Sequence, residues 1–527
     1  MIKLSRLLES VNIIEARNHK DMEIGGLAYH SGKVCPGDLF VCIMGYLTDG
    51  HLYIPQAVAK GAAAMVVERF DDNCSLPQYK VADSRQALAA LSDAFYGHPS
   101  QKLNMIGITA TNGKTSTTFM TNSILQAHGL NTGIIGTVMV RYGSFTEPSV
   151  LTTPESLDLQ RHLASMVQSD VTHVVMEVSS SALELNRVDN VDFDIVAFNN
   201  ISREHIDLHG SFEDYYNSKA SLIRNASPSG WAVLNLDDKY SAALATQTRA
   251  KVLTYGVENG DGHLSCTRLD LTTGRARFGV EIRKPFTANG IEYRPCEFDI
   301  ELSIPGYHSV YNSMAAIAIG LLCGVPVPTI AKGLKAFEGV ERRFQFIYED
   351  DFRIIDDHFA NAGNINVTLE TLNFMEYNSL NIVYAIRGGR GPITNQENAE
   401  TIVKWASRLG LREITATLSR SHVTKKDMVT EEEKDVFLRV MDEAGIRVSL
   451  FEELPDAIAF ALDKVQPGDV LLLAGCQGMD FGAQIALEQL CRLRPSLDRQ
   501  KLFAPLKNRV AGITSPELIL HQGRQGN

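Results

Sequence analysis

The chain lacks the features that would place it in or across a membrane. No hydrophobic run approaches the roughly 18 residues that a membrane-spanning helix requires. Its first residues, Met-Ile-Lys-Leu-Ser-Arg-Leu-Leu-Glu-Ser, contain no signal-peptide hydrophobic core. The eight cysteines are scattered and form no C-x-x-C pair, which argues against a zinc site and a disulfide framework. We therefore expect a cytoplasmic protein in a reducing compartment.

The chain also lacks an excess of positive charge. It has 50 lysines and arginines against 62 aspartates and glutamates, which gives a net charge of −12. This balance argues against a nucleic-acid or membrane partner, so an anionic substrate must be held by local basic groups and backbone amides. No internal repeat is visible, and we expect a monomer.

The length and composition predict several globular domains. Hydrophobic residues make up 44% of the chain and charged residues 21%, as in ordinary globular proteins. A chain of 527 residues is too long for a single hydrophobic core. Alternating strand and helix patterns predict an α/β fold in three blocks followed by a polar tail. The predicted ranges are 1–102, 103–339, 340–500 and, for the tail, 501–527.

The central block has the pattern of a doubly wound, nucleotide-binding sheet. It opens with a predicted strand at Leu103–Thr109, a turn at Ala110–Gly113 and a helix at Lys114–His128. Later strands are predicted at His173–Val178, Ile195–Asn199 and Trp231–Asn235, with antiparallel strands in 258–303 and a helix at Tyr311–Gly324.

The third block predicts a second open α/β sheet. Its strands are predicted at Phe352–Asp356, Asn381–Ile386, Glu413–Leu418, Arg447–Phe451 and Asp469–Ala474. Helices are predicted between them at Ala399–Leu409 and Glu431–Ala444.

The run Gly107-Ile-Thr-Ala-Thr-Asn-Gly-Lys-Thr-Ser116 has the arrangement that a polyphosphate needs. A strand, a turn of small residues and a helix start direct backbone N–H groups at an anion. Lys114 supplies a charge near the β- and γ-phosphates, and the Thr115 hydroxyl suits Mg²⁺. Ile108 stands where the strict G-x-x-x-x-G-K-T spacing has its first glycine. The nucleotide-binding positions predicted in the run are Thr111, Asn112, Gly113, Lys114, Thr115 and Ser116.

Thr109–Ser116 resembles the T-G-T-N-G-K-T-[ST] loop of the Mur ligase family, with Ala110 replacing a glycine. Four further segments resemble the branch that adds the third peptide residue to UDP-N-acetylmuramoyl-dipeptide. They are Phe95–Ser100, Leu151–Glu155, Met176–Leu183 and Asn199–Gly210. The resemblance implies a three-domain architecture with a central P-loop sheet and a Rossmann-like third domain. It implies an ATP-dependent ligase that activates a carboxylate as an acyl phosphate and joins it to an amino acid.

The resemblance also implies a metal-assisted site. Bringing two anions together requires a divalent metal and positive charge. Glu177 and His205 match the family's Mg²⁺ ligands, beside Thr115. Lys219 matches the lysine that CO₂ carbamylates, which would make it an anionic ligand. The predicted cofactors are ATP and Mg²⁺.

The remaining site residues follow from the same resemblance, residue by residue. Hydroxyl groups and a forked guanidinium suit sugar, phosphate and carboxylate groups. Ser31, Asp49 and His51 are expected at the UDP portion, and Thr152, Thr153, Ser179 and Arg187 at the muramoyl-peptide end. Asn312 is expected at the adenine, Arg343 at the γ-phosphate, and either Asp356 or Asp357 at the ribose.

The third block departs most from the family pattern. The family glycine before Arg343 is Arg342, and Asn361 stands in place of a histidine. The stretches that read a diamino acid are replaced by Gly388–Pro392, Leu418–His422 and Ala474–Asp480. Arg390, Arg420 and Asp480 are the candidates for holding the amino acid, and these changes should alter which one is accepted.

Two alternatives stay open. One is a folylpolyglutamate- or cyanophycin-type ligase, against which Pro36-Gly-Asp-Leu-Phe-Val and Asp49-Gly-His of the first block argue. The other is a non-catalytic nucleotide-binding relative with a regulatory role. A carboxylate from a specialised pathway is also a possible acceptor in place of the muramoyl-dipeptide.

Overall fold

The computed structural model describes residues 1–45, 48–202, 211–271, 275–339, 341–507 and 509. Within these ranges the chain forms three larger sheets with helices packed against them. None of the described helices combines the length and the apolar character needed to cross a membrane.

The first sheet has five strands in the order β2-β7-β6-β5-β4, with β4 to β7 parallel and β2 antiparallel to β7. Its elements are β1 (Ile2–Lys3), α1 (Leu4–Leu8), β2 (Glu15–Arg17), β3 (Glu23–Ile24), β4 (Gly26–Ala28), β5 (Asp38–Val41), α2 (Ile54–Ala59), β6 (Ala64–Val67), β7 (Gln78–Lys80) and α3 (Ser84–Tyr96). β1 and β3 pair separately as a small antiparallel ribbon. Asp83 caps α3 by accepting hydrogen bonds from the amides of Arg85 and Gln86, as acceptor side chains at helix starts do.

The second sheet has eleven strands in the order β11-β10-β9-β12-β8-β13-β14-β15-β16-β17-β20. Its first elements are β8 (Asn104–Thr109), α4 (Lys114–Ala127), β9 (Thr132–Ile135), β10 (Met139–Tyr142), β11 (Phe145–Pro148), α5 (Ser156–Gln168), β12 (His173–Glu177), α6 (Ser180–Glu184), β13 (Ile195–Phe198), α7 (Phe212–Arg224), β14 (Trp231–Asn235), α8 (Lys239–Ala243) and β15 (Lys251–Gly256). The remaining ones are β16 (Leu264–Asp270), β17 (Arg275–Ile282), β18 (Phe286–Ala288), β19 (Ile291–Tyr293), β20 (Cys296–Pro305), α9 (Tyr307–Leu322) and α10 (Val327–Ala336).

The order of this sheet decides where its polar loops meet. β8 lies between β12 and β13 and runs parallel to both. The carboxyl ends of parallel strands lie at one edge, where α/β sheets bind their ligands. The loop after β8 therefore lies beside Glu177 and Asn199, which close or follow the neighbouring strands. On one face, α4 packs against α9 through apolar residues such as Ile124 and Ile317.

The third sheet has six strands in the order β21-β22-β26-β23-β24-β25, all parallel except β21. Its elements are β21 (Gln345–Glu349), β22 (Arg353–Asp357), α11 (Ala362–Phe374), β23 (Leu380–Ala385), α12 (Pro392–Ala406), β24 (Glu413–Thr417), α13 (Glu431–Glu443), β25 (Arg447–Phe451), α14 (Leu454–Leu462), β26 (Val470–Ala474), α15 (Gly482–Leu493) and α16 (Arg499–Leu502).

The segment from 501 onward, expected as a polar tail, begins as part of this third unit. Leu502 is buried in its core, and Gln345 donates a hydrogen bond of 3.0 Å to the Pro505 carbonyl. The buried guanidinium of Arg509 forms an ion pair with Asp356, whose side chain is fully buried. The chain therefore returns to the carboxyl end of β22.

Replacing Arg509 with alanine should destabilise the third unit, because within the described residues Asp356 would keep Arg342, at 3.6 Å, as its single ionic partner. Removing one member of a buried pair costs about 3 kcal/mol or more. The chain has two tryptophans, so in a Trp231→Phe background Trp405 alone reports urea unfolding of this unit. Lys507→Ala changes an exposed cation and should leave the midpoint in place. Equal midpoints for the two variants would refute a stabilising role for Arg509.

Candidate active site

The loop between β8 and α4 wraps around its own lysine. Lys114 donates hydrogen bonds to the carbonyl oxygens of Ala110 at 2.9 Å and Thr111 at 3.1 Å. Gly113 precedes the helix with a φ of 86°, a left-handed conformation that glycine adopts at little cost. Ala110 has no such φ, so its substitution for glycine is compatible with the turn. The amides at the start of α4 are thereby directed toward the space that a polyphosphate would occupy.

Asparagine side chains hold this loop in place. The Asn112 amide donates to the Asn200 side-chain oxygen at 3.0 Å, and the Asn200 side chain donates to the Asn112 carbonyl at 2.9 Å. From α11 of the third unit, Asn364 donates to the Asn112 side chain at 3.0 Å. Thr111 accepts from the Ser202 amide at 3.0 Å. Residues of both the central and the third units therefore hold the loop in place.

Glu177 ends β12 as a fully buried carboxylate. It accepts hydrogen bonds from the Thr115 hydroxyl at 3.0 Å, the Thr137 amide at 2.8 Å and the Thr137 hydroxyl at 3.0 Å. No lysine, arginine or histidine among the described residues forms an ion pair with it. A buried charge is normally paired with an opposite charge or a metal. This oxygen-rich arrangement therefore fits a hard divalent cation such as Mg²⁺. His205, the other predicted ligand, lies outside the described residues.

Lys219 on α7 is directed at the same loop. Its side chain is 1% exposed, and its ammonium donates to the Ala110 carbonyl at 2.8 Å. Lys114 donates to that same oxygen, so two cationic groups converge on one carbonyl. The ammonium of Lys219 also lies 5.0 Å from the centre of the Tyr215 ring.

Among the residues expected at the muramoyl-peptide end, Thr153 contacts the backbone of Glu177. The Thr153 hydroxyl donates to the Glu177 carbonyl at 2.9 Å and accepts from the Ser179 amide at 3.1 Å. Thr152 and Thr137 bring their hydroxyl oxygens within 3.1 Å. Arg187 donates to the Thr153 carbonyl at 3.2 Å, and it also forms an ion pair of 2.8 Å with Glu155.

A cavity of about 400 Å³ opens beside the loop, between the central and third units. Predicted nucleotide residues that line it are Asn112, Gly113, Ser116, Asn312, Arg343 and Asp357. The Asn312 side-chain nitrogen is buried without a hydrogen-bond partner in the described chain, which suits an acceptor on an adenine ring. Burial lowers the pKa of His308, which also lines the cavity, to about 4.

The structure distinguishes between Asp356 and Asp357, the two candidates for binding the ribose. Successive residues of a strand point to opposite faces, and Asp357 lines the cavity whereas Asp356 does not. Asp357 accepts from the Phe344 amide at 2.6 Å and the Thr368 hydroxyl at 2.9 Å. Burial raises the pKa of Asp357 to about 6, against the opposing charge of Arg343. Asp356 instead contacts Arg342 and Arg509.

Ser31, Asp49 and His51 lie in the first unit and do not line the cavity. Ser31 donates to the Gln56 side chain at 2.7 Å. Asp49 lies 2.6 Å from the His51 ring nitrogen and contacts Arg69. Although burial raises it, hydrogen bonds from the His51 amide, Arg69 and the His51 ring lower the pKa of Asp49 to about 2.

The three candidates for holding the amino acid behave differently. Asp480 forms an ion pair with the buried Arg342. Arg420 pairs with Glu452, and both side chains are about half exposed. The Arg390 side chain is exposed, while its backbone amide donates to Glu433 at 2.9 Å.

Comparisons with known proteins cover nearly the whole chain. Family models described as "Mur ligase family, catalytic domain", "Mur ligase middle domain" and "Mur ligase, glutamate ligase domain" match residues 23–96, 108–320 and 342–477. A UDP-N-acetylmuramoyl-L-alanyl-D-glutamate–2,6-diaminopimelate ligase from Bacillus velezensis is 35% identical over 92% of this chain and 96% of its own length. The chain belongs to the Mur ligase family.

Two further similarities concern the family and the fold, respectively. A ligase of the same name from Caldanaerobacter subterraneus subsp. tengcongensis is 33% identical, over 90% of this chain and 94% of its own length. The solved MurF ligase from Thermotoga maritima in complex with ADP superposes with a TM-score of 0.60. It is 20% identical and covers 90% of this chain and 97% of its own. The predictions of a Mur-type α/β fold and of an ATP-dependent ligase are confirmed at the level of the family.

Several residues at the site of this Mur ligase were not predicted from its sequence. Thr137, Asn200 and Asn364 are short polar side chains whose partners lie far along the chain. Asn200 could have been found, because it follows a predicted strand whose end meets the loop. Nothing local distinguishes Thr137 or Asn364 from ordinary loop and helix residues.

Replacing Gly113 with alanine should weaken ADP binding at least about tenfold, because a Cβ there would overlap the Asn312 side-chain oxygen. The loop or Asn312 would have to move. Gly129 has a similar φ of 83° but no atom within 4 Å of its Cβ position, so Gly129→Ala isolates the backbone strain. Calorimetric titration with ADP compares the two variants. Similar affinities in both would contradict a close fit between Gly113 and Asn312.

Proposed function

We propose that this Mur ligase uses ATP to join an amino acid to the terminal carboxylate of UDP-N-acetylmuramoyl-dipeptide. The observation that carries the proposal is a phosphate loop whose Thr115 contacts a buried carboxylate, Glu177, that has no cationic partner in the described chain. The relatives from Bacillus velezensis and Caldanaerobacter subterraneus support the acceptor through their names.

The chemistry asks the protein to hold two anions together. A carboxylate becomes reactive when it takes a phosphoryl group from ATP, and an amine then displaces the phosphate. Lys114, the amides at the start of α4 and Arg343 supply positive charge and hydrogen-bond donors for the phosphates. Asn312 and Asp357 orient the nucleoside at the other end of the cavity.

Glu177 and Thr115 would hold Mg²⁺, together with the proposed ligand His205. When bound, the ion supplies charge neutralisation and Lewis acidity at phosphate oxygens. Thr137 fixes the Glu177 carboxylate through two hydrogen bonds, so its orientation does not depend on the ligand.

The peptide end of the acceptor is proposed to contact Thr152, Thr153, Ser179 and Arg187. Thr153 and Ser179 adjoin the Glu177 backbone, so a carboxylate held there lies near the phosphate loop. The UDP end is proposed to contact Ser31, Asp49 and His51. A monomer remains our proposal, and the eight free cysteines support a reducing cytoplasm.

An ADP-release assay with ATP, Mg²⁺, UDP-N-acetylmuramoyl-dipeptide and a panel of amino acids tests the proposal. ADP should form only when both acceptor and amino acid are present. Lys114→Ala should abolish ADP release through lost phosphate neutralisation, whereas Lys102→Ala, an exposed lysine before β8, should retain it. Turnover with a folate or another carboxylate, in place of the muramoyl acceptor, would show that the enzyme uses that carboxylate as its acceptor. No ADP with any pair would refute it.

We further propose that Lys219 works as a carbamate. Its neutral amine would add to CO₂, forming an N–C bond and releasing one proton. Lys114 and Lys219 donate to one carbonyl oxygen, and two ammonium groups so placed repel each other. A carbamate would replace this repulsion with attraction and would add oxygen atoms beside the phosphate loop.

Lys219→Ala should lower the rate of ADP formation at least about a hundredfold, the loss expected when a preorganised charged group is removed. Formate or acetate should restore part of the rate by occupying the space of the carbamate. Lys239→Ala, at an exposed position on α8, serves as the matched control. A Lys219→Ala enzyme with full activity would exclude the role, and inactivity without rescue would leave Lys219 as a cationic group.

A further inference from the structure

Acidic side chains at the carboxyl edge of the third sheet already have partners. Asp480 forms an ion pair with Arg342, and Asp356 pairs with Arg509. Arg342 and Asp356 lie 3.6 Å apart, so two guanidinium groups and two carboxylates form one electrically balanced cluster. Glu433 is 1% exposed and accepts hydrogen bonds from the amides that follow β23. The charges of Asp480 and Asp356 are thus compensated by guanidinium groups, and the oxygens of Glu433 are occupied by neutral donors of the protein.

The basic side chains at this edge differ from the acidic ones in their partners. Arg343, Arg387 and Arg390 make no side-chain hydrogen bond or ion pair within the part of the chain that the structure describes. The Nε atom of Arg387 is buried without a partner. Arg387 and Arg390 belong to the same loop after β23, and Arg343 lines the nucleotide cavity. Within the described chain this edge therefore carries guanidinium groups without an ion-pair partner. Of the acids there that form no ion pair, Asp357 is assigned to the ribose and Asp427 accepts a hydrogen bond from the Thr424 hydroxyl at 2.6 Å.

Electrostatic effects place Arg387 in the neighbourhood of the cluster. Burial lowers the pKa of His358 well below its usual value, and Arg342, Arg343 and Arg387 all add to the shift. Burial raises the pKa of Cys476, which Arg387 and Arg342 oppose. These three arginines therefore act on one region, where β22 and β26 end.

The position of Arg342 explains why Asp480 is already held in an ion pair. Its φ is 56°, a left-handed value that favours glycine, and the family pattern has glycine here. Its guanidinium donates to the carbonyl of Cys476 at 3.0 Å and contacts the carbonyl of Gly475. These bonds hold the guanidinium against Asp480, so a ligand ammonium would meet a carboxylate that is already neutralised.

We infer that Arg342 is a specificity-determining residue that occupies Asp480, and that the incoming amino acid carries a side-chain carboxylate and no second ammonium group. This inference rests on the proposed ligase function and deepens it. With Arg343 assigned to the phosphates, Arg387 and Arg390 remain for the two carboxylates of a dicarboxylic amino acid, and guanidinium groups suit them. Among the described residues, a second ammonium, as in 2,6-diaminopimelate or lysine, would meet Arg387 and Arg390 beside an acid that Arg342 already neutralises.

The first test compares amino acids on the unaltered full-length enzyme, with ATP, Mg²⁺ and UDP-N-acetylmuramoyl-dipeptide. Glutamate or aspartate should give a kcat/KM at least about tenfold above those of lysine and 2,6-diaminopimelate, the size expected for one charge-assisted contact. A preference for either diamino acid would overturn the inference while leaving the ligase function intact. Absence of ADP with every amino acid would instead count against the proposed function.

Variants then test whether Arg342 determines the amino-acid preference. Arg342→Gly suits the positive φ and frees Asp480, so the diamino-to-dicarboxylic ratio of kcat/KM should rise at least about tenfold. The double variant Arg342→Gly with Asp480→Asn should remove that rise. An unchanged ratio in a folded Arg342→Gly enzyme would exclude Arg342 as the determinant.

A second variant tests the inference independently, in case the Arg342→Gly enzyme does not fold. Arg387→Gln should raise the KM of the dicarboxylic amino acid at least about tenfold with little change in the KM of ATP. Arg439→Gln, at an exposed position on α13, is the matched control and should change neither. Equal effects on both KM values, or no effect, would show that Arg387 does not contact the amino acid.

Discussion

A buried carboxylate that has no cationic partner among the described residues is the constraint around which the central site is built. Strand pairing puts Glu177 directly beside Ile108, so the acid always lies next to the phosphate loop. Thr115 reaches it from the first turn of α4, and Thr153 holds its backbone. Sheet register thereby fixes the distance between the nucleotide and peptide sides. Moving β12 by one residue would turn the carboxylate to the opposite face of the sheet. It would then contact neither the nucleotide side nor the peptide side of the site.

Two acids of the third unit, Asp480 and Asp356, have their charges balanced in the opposite way. Asp480 and Asp356 are neutralised by arginines within the protein, whereas Glu177 meets only neutral donors in the described chain. A neutralised acid contributes shape and order rather than attraction for a ligand. This difference explains how Glu177 and Asp480 can have different uses. One is suited to a cation that arrives with the substrate, and the other determines which substrate charges are excluded.

The sequence predicted the elements with strong local patterns and missed those decided by distant contacts. The strands at Trp231–Asn235 and Arg447–Phe451 have the predicted bounds. The helix expected from Ala399 begins earlier, at Pro392, although proline in the first turn is a common start signal. By contrast, Arg342 is 138 residues from Asp480, and no local pattern foretells that ion pair. Site roles remain predictions, since they depend on ligands.

Two pairs of adjacent residues connect the nucleotide cavity to the ionic cluster. Arg343 and Asp357 line the cavity, whereas their neighbours Arg342 and Asp356 belong to the cluster. Neighbours in a chain cannot move independently, so a shift of one side displaces the other. An amino acid that perturbs Arg342 would therefore also disturb the groups proposed to hold ATP. Because binding couplings are reciprocal, bound nucleotide should in turn affect which amino acid is accepted. Selectivity in this ligase would then belong to the nucleotide-bound enzyme rather than to the third unit alone.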